Sequence, residues 1–210
     1  MQDVQAVQRH LATVQTRRKA TIWLLSLGFA PVLLFADAYF RLGSWQREVI
    51  EGAGSILLFV AIIGRVWCTM YIGGRKTVAL VWLGPYSISR NPLYGFSFLA
   101  VAGLGAQTGS IGMAIFMTLV AYVIFLKVVF REEAALSSTH GYAYDAYRRT
   151  VPRFLPRLSL WRDIETVTVE PKLVRRTIED GFVFILLALG IRAFMHWKQS
   201  FPDLVQMTLY

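Results

Sequence analysis

The sequence predicts an all-α fold, an integral membrane bundle of about five transmembrane helices that includes a short helical hairpin. Three observations carry this reading. Hydrophobic residues make up 55% of the 210-residue chain and its mean hydropathy is +0.47, more apolar than an ordinary soluble domain. The apolar residues fall in long blocks rather than in the strict alternation of a half-buried strand. The basic residues, which give a net charge of +9, cluster at one end of those blocks.

The chain reads as a single domain over residues 1–210. Residues 1–20 are polar, with Val4, Val7, Leu11 and Val14 at helical spacing, and are expected to lie as an amphipathic segment on the cytosolic surface. Two spans follow within residues 21–72. The first, 21–40, holds one charge, Asp37; the second, 52–72, holds one, Arg65. About 20 helical residues cross the roughly 30 Å hydrocarbon core. Ala36-Asp37-Ala38 has the look of a leader-cleavage site, but the apolar run is longer than a leader core, so the segment is expected to persist as a span. Arg65 lies roughly 12 Å from the cytosolic end of its helix. It either faces a cavity or snorkels to the inner headgroups. The mismatch in depth argues against a direct pair with Asp37.

Residues 84–156 form the core of the chain. Gly84-Pro85 punctuates a loop, and Asn91-Pro92 restarts a helix, since proline suits a first turn. Residues 94–106 are apolar but short for a span. Residues 111–130 are long enough, with Lys127 as their one charge. Gln107-Thr108-Gly109-Ser110 is the polar tip of the hairpin between them, where glycines allow turning and close backbone approach. Residues 151–169, with Pro152 and Pro156, are expected to be irregular or short-helical. Residues 177–198 form the last span, with Arg192 inside its apolar part.

Charge sets the topology. Sixteen Lys and Arg residues fall before the first span, between the second and third, and between the fourth and fifth; the opposite loops hold three, Arg41, Arg47 and Lys198. The positive-inside rule then places the N-terminus, the 84–94 loop and residues 132–176 in the cytosol. This distribution excludes the nucleic-acid reading of the net charge and suits anionic lipid. The one cysteine, Cys68, allows no internal disulfide and reads as a small packing residue. No second His or Cys stands at metal-ligand spacing from His140, so no metal site is expected.

Two segments could carry chemistry. Glu132 and Glu133 follow the apolar run 111–130 directly, at its cytosolic end. Adjacent helix positions differ by about 100°, so one glutamate should reach a ligand while the other orients Arg131, another arginine or a backbone group. The plainer reading is a solvated helix end. The hairpin returns the chain to the same membrane face as Arg90-Asn91-Pro92-Leu93-Tyr94, which offers a guanidinium, an amide and a phenol. Arginine binds carboxylate bidentately; the alternative is a helix cap with Arg90 on lipid phosphate. Further on, Tyr144 and Tyr147 share a helical face, which suits a cation or an interfacial aromatic belt.

Together these segments resemble the isoprenylcysteine carboxyl methyltransferase family of integral membrane enzymes, and more distantly the membrane phospholipid methyltransferases. The resemblance runs through Gly84-Pro85-Tyr86, Arg90 to Tyr94, Glu132-Glu133-Ala134-Ala135-Leu136, Gly141 to Tyr147, and Val151 to Pro156, in the family's order. Asn91 stands where the family has histidine; an amide still donates a hydrogen bond but does not titrate near neutral pH. The resemblance implies S-adenosylmethionine as methyl donor, bound in a cytosolic cofactor-binding segment by Tyr86, Arg90, Asn91, Tyr94, Glu132, Glu133 and Tyr144. It also implies a lipophilic or amphiphilic acceptor entering from the bilayer, of isoprenylcysteine-carboxylate type or another, with Arg131 or Arg153 to orient an anionic one. Membrane lipids are the other expected partners, and a bacterial inner membrane the expected location. Two alternatives stay open: an NADPH-dependent membrane reductase of sterol type, and a non-catalytic membrane scaffold.

Overall fold

A computed structural model describes residues 40–73 and 80–200, with the side chains of residues 199 and 200 excepted. The amphipathic segment expected over 1–20 and the span over 21–40, apart from Phe40, lie outside the described residues, as do Arg75 and Lys76. The described residues belong to one compact unit and contain no strand.

Six helices follow in order: α1 (Trp45–Ile72), α2 (Pro85–Ile88), α3 (Pro92–Ala106), α4 (Ile111–His140), α5 (Tyr142–Thr150) and α6 (Pro171–Ser200), with a 3₁₀ turn at Leu158–Leu160 before the last. Their ends follow from local chemistry. Pro92 opens α3. The Ser110 hydroxyl accepts from the Met113 N–H at 3.2 Å and caps α4. Gly141, at φ 50°, ends α4 and lets the chain turn straight into α5.

Of the four spans expected within the described residues, two have the length and apolarity to cross a membrane by themselves. These are α1 and α4, whose most apolar stretches have mean hydropathies of 1.9 and 2.4. The described residues are thus an all-helical bundle with two helices able to cross a membrane by length and apolarity; the other expected spans are a short helix, a charge-interrupted one and a segment outside the described residues. α3 has 15 residues and stops at the polar tip. α6 has 30 residues but carries Arg175, Arg176, Glu179 and Asp180 before its apolar part and Arg192 within it, so its uninterrupted apolar run is short.

Helix α1 packs on α3 through glycine. A Cβ added at Gly54 would sit 2.7 Å from Ala106 Cβ, and one at Gly103 would sit 2.7 Å from Leu58 Cγ and from the Gly54 carbonyl oxygen. Small residues bring two apolar helices close where no water drives them together. Arg65, in the middle of α1, is largely buried in this interface. It donates to the Ser97 hydroxyl on α3, lies 3.7 Å from Asp180 on α6 and sits 5.5 Å from the Phe184 ring. It faces protein on both sides.

The hairpin tip is held by a charged cluster that the sequence reading does not anticipate. Arg47 Nε donates to Glu51 Oε1 at 2.7 Å and Arg192 Nε reaches Glu51 Oε2 at 2.9 Å. Gln107 donates to the Glu51 carbonyl at 3.0 Å, and the Arg47 side chain lies over Gly109. Arg47 is 1% exposed and Arg192 half-exposed. Glu51→Ala leaves a buried guanidinium without its counter-charge and is expected to cost about 3–5 kcal/mol. Arg192→Ala removes an exposed partner and is expected to cost under about 1 kcal/mol. Denaturant unfolding in detergent measures both.

Candidate functional site

At the far end of the hairpin from this cluster, one carboxylate gathers three segments. Glu133, three residues beyond the apolar run of α4, is buried. Arg153 meets it edge-on: Nε lies 3.2 Å from each carboxylate oxygen and Nη2 is 2.9 Å from Oε2. The same guanidinium stacks 4.5 Å over the Phe130 ring. Arg90 Nη1 lies 3.2 Å from Oε1, and Asn91 Nδ2 donates to Oε1 at 3.1 Å. The site thus carries two guanidiniums against one carboxylate at its centre. Bonding to Glu133 holds the Arg153 pKa above its ordinary value.

Glu132 turns elsewhere, as a 100° step requires. Its Oε1 accepts from the Tyr94 hydroxyl at 3.1 Å. Tyr86 and Tyr144 are buried beside the cluster, and the Tyr144 and Tyr147 rings lie 6.0 Å apart on one face of α5. The Tyr147 hydroxyl donates to the Tyr86 carbonyl at 2.7 Å and so ties α5 to α2. Burial pushes the phenols of Tyr86, Tyr144 and Tyr147 above the ordinary range; at Tyr144 the Glu133 carboxylate adds to the rise and Arg90 opposes it. The Tyr86 hydroxyl is buried without a hydrogen-bond partner, while the Arg90 guanidinium is directed at the Tyr144 phenol and keeps a buried N–H unbonded at Nε. A site that keeps donors dry and unpaired has room in its hydrogen-bond inventory for an acceptor-rich ligand.

Residues 151–162 close the site as a strap held by main-chain bonds. The Arg90 and Asn91 N–H groups donate to the Pro152 and Arg153 carbonyls at 2.8 and 3.1 Å, and the Arg157 N–H donates to the Ile88 carbonyl at 2.9 Å. The Ser89 hydroxyl donates to the carbonyls of Arg153 and Phe154, and Gly84 N–H to that of Arg162 at 2.7 Å. Two clefts border the strap. One, of about 490 Å³, is lined by Arg90, Arg148, Arg149 and Arg157 with Pro152 and Leu155. The other, of about 530 Å³, is lined by Phe98, Tyr122 and Phe154, with Arg153, Pro152 and Leu155. Its three rings pack at centroid distances of 5.5–5.6 Å.

The structure brings together Tyr86, Arg90, Asn91, Tyr94, Glu132, Glu133, Tyr144 and Arg153. Arg131 is not among them: it is exposed on α4 and makes no polar contact with the cluster. Arg153 joins as a partner of Glu133, which occupies its Nε–Nη2 edge and leaves Nη1 for another group. Sequence reasoning missed Ser89, Phe130 and the ring cluster. Phe98, Tyr122 and Phe154 lie far apart in the chain, and no spacing rule joins them. Among the described residues no group of three or more His, Cys, Asp or Glu comes together.

A helical protein with membrane-crossing helices and an ion-paired, tyrosine-lined site at one end of a hairpin is a membrane protein built around that site. The family comparison says which kind. The phospholipid methyltransferase family model matches residues 53–143, from α1 to the start of α5. Among curated proteins, the nickel-cobalt-cadmium resistance protein NccN of Alcaligenes xylosoxydans xylosoxydans is 34% identical over 178 residues, 85% of this chain and 83% of its own length. The cobalt-zinc-cadmium resistance protein CzcN of Cupriavidus metallidurans is 33% identical over 189 residues, 90% of this chain and 87% of its own length. No solved structure matches. The chain belongs to the phospholipid methyltransferase family, a family of membrane methyltransferases.

Two outcomes test the site's construction. Glu133→Gln removes the counter-charge of two arginines and loosens the strap, so tryptic cleavage after Arg157 should accelerate about tenfold while Glu132→Gln leaves it unchanged. The raised phenols set the alkaline limit. The folded chain keeps protons that the unfolded chain would release, so their contribution to stability is complete below the ordinary phenol pKa and is lost as pH climbs through the raised values. Phenolate absorbance should therefore show Tyr86, Tyr144 and Tyr147 ionising above the exposed tyrosines or together with unfolding.

Proposed function

We propose that this chain is an S-adenosylmethionine-dependent methyltransferase that acts at the membrane–cytosol interface on a lipophilic or amphiphilic acceptor. The observation that carries the reading is the Glu133 cluster, at the end of a membrane-crossing helix, with buried unpartnered donors around it in a chain of a methyltransferase family. The residues fit the methyl donor. Arg90 Nε and the Tyr86 hydroxyl are donors in want of acceptors, which a carboxylate and sugar oxygens would supply. Glu132 and the tyrosine faces suit the amino group and the sulfonium. When bound, the donor supplies an electrophilic methyl group on a positive sulfur.

The protein's part is positioning and drying. Glu133 fixes Arg90 and Arg153, and so the floor of the site, before any ligand arrives. Tyr86, Tyr144 and Tyr147 are neutral phenols at physiological pH, and burial holds them so further into the alkaline range, so they orient by hydrogen bonding rather than by charge. The aromatic cleft beside Arg153 suits an apolar acceptor body, with Arg153 Nη1 holding an anionic head. An isoprenylcysteine carboxylate satisfies this description, as do other amphiphilic carboxylates and thiols. Asn91 bonds Glu133 where the related enzymes carry histidine, which assigns it to holding the site and not to moving a proton. The relatives are named for metal resistance, and we read this chain's methyl transfer as belonging to a similar setting.

Calorimetry on the protein in lipid nanodiscs tests the reading. Saturable binding of S-adenosylmethionine is expected, weakened at least about tenfold by Arg90→Ala and by Glu133→Gln. Labelled methyl donor with a membrane extract should then yield a labelled lipophilic product. No binding of the donor contradicts the proposal, and saturable NADPH binding in its place favours a membrane reductase.

A further inference from the structure

We propose that residues 153–162 are a membrane-docking strap that seats on anionic lipid headgroups of the leaflet nearest Glu133, with its leucines in the acyl boundary and its arginines on lipid phosphate. The proposal does not depend on which reaction the site performs. It begins from depth. Arg153 is ion-paired to Glu133, and Glu133 lies about 4.5 Å along α4 from Phe130, the last residue of the apolar run. The strap is therefore fastened at the level where hydrocarbon gives way to headgroups. Trp161 at its other end packs on Trp67 of α1 with ring centroids 5.5 Å apart, and tryptophan favours that level.

The exposed side chains match that environment. Leu155 is 83% exposed, Leu158 73% and Trp161 43%, although none of them is in a membrane-crossing helix. A single exposed leucine is ordinary, but three large apolar side chains exposed within one short irregular segment mark a surface that meets a partner or a membrane. Between and beside them stand the exposed Arg157 and Arg162, and Arg148 and Arg149 from the adjoining α5. From Arg148 to Arg162 there is no acidic residue. Glu133 matches Arg153, and Asp145 lies 3.5 Å from Arg148. The first acid beyond, Asp163, accepts from the Tyr71 hydroxyl at 2.6 Å. That leaves a basic excess facing the same boundary as the leucines, the charge complement of an anionic leaflet.

The backbone is prepared for a partly dry setting. The Arg157 N–H is bonded to Ile88, the Leu160 and Trp161 N–H groups to the turn itself, and the Arg162 N–H to the Ser87 hydroxyl. Backbone groups satisfied within the protein let an irregular segment approach the hydrocarbon boundary, where water is scarce. A protein partner would be an alternative cover for two isolated leucines, but the fastening at the bilayer boundary and the ring of arginines favour lipid.

The test uses the full chain in nanodiscs, spin-labelled at Leu158→Cys with Cys68→Ala removing the native thiol. The reference is a label at Ser138→Cys, exposed and further along α4. Collision with oxygen and with a water-soluble nickel chelate reports depth. In discs containing phosphatidylglycerol, the Leu158 label should collide with nickel several-fold less than the Ser138 label. In discs of phosphatidylcholine alone, or with Arg157→Gln and Arg162→Gln, the difference should shrink towards parity. Equal nickel access at both sites in anionic discs overturns the proposal. So does protection at Leu158 that is the same in neutral discs or in detergent, which would mean cover by protein. Should Cys68→Ala fail to fold, the buried native thiol is retained, since labelling reagent does not reach it.

Discussion

Everything at the functional end of this protein depends on how Glu133 spends its two oxygens. The carboxylate is buried, and a buried carboxylate is stable only when paired. Its partners come from two other places in the chain, Arg90 and Asn91 from the turn before α3 and Arg153 from the strap, so that with α4 three segments meet on one side chain. None of these segments could hold its position alone. α2 is one turn long, and the strap has almost no regular structure. The ion pairs bring the segments together, and the main-chain bonds between residues 84–91 and 152–162 then fix their register.

The same logic operates at the opposite end with different residues. There Glu51 joins α1 to α6 through Arg47 and Arg192, while Gln107 brings in the hairpin tip. The hairpin α3–α4 is thus pinned at both ends by a carboxylate, and near its tip glycine packing draws α3 onto α1 as well. The difference lies in what is left over. Around Glu133 the surplus donors are a phenol and a guanidinium; around Glu51 they belong to Arg47, packed over the Gly109 turn. The first arrangement adjoins two clefts that a ligand could enter.

Much of this was legible in the sequence because it obeys local rules. The apolar blocks gave α1 and α4, Asn91-Pro92 marked the start of α3, and the helical step predicted that Glu132 and Glu133 would separate. The residues at 86–94 and 132–144 that the structure gathers around Glu133 were singled out by the order and spacing of the family resemblance. What was not legible came from contacts between distant segments. Arg131 and Arg153 look alike as candidates in sequence, yet α4 turns the first outward while the strap carries the second back onto Glu133. Glu51 drew no notice in the sequence because its partner Arg192 lies in a distant helix. α6, expected as a span over 177–198, carries Glu179 and Asp180 before its apolar part and Arg192 within it, and the partners of Asp180 and Arg192 lie on another element.

The central claim is that the Glu133 cluster is where the methyl donor binds. Photo-crosslinking of radiolabelled S-adenosylmethionine to the protein in nanodiscs, followed by peptide mapping, tests it most directly. The account predicts label on peptides from 84–94 or 132–147, and its loss when unlabelled donor competes. Competable label confined to other segments, or no competable label, would contradict it.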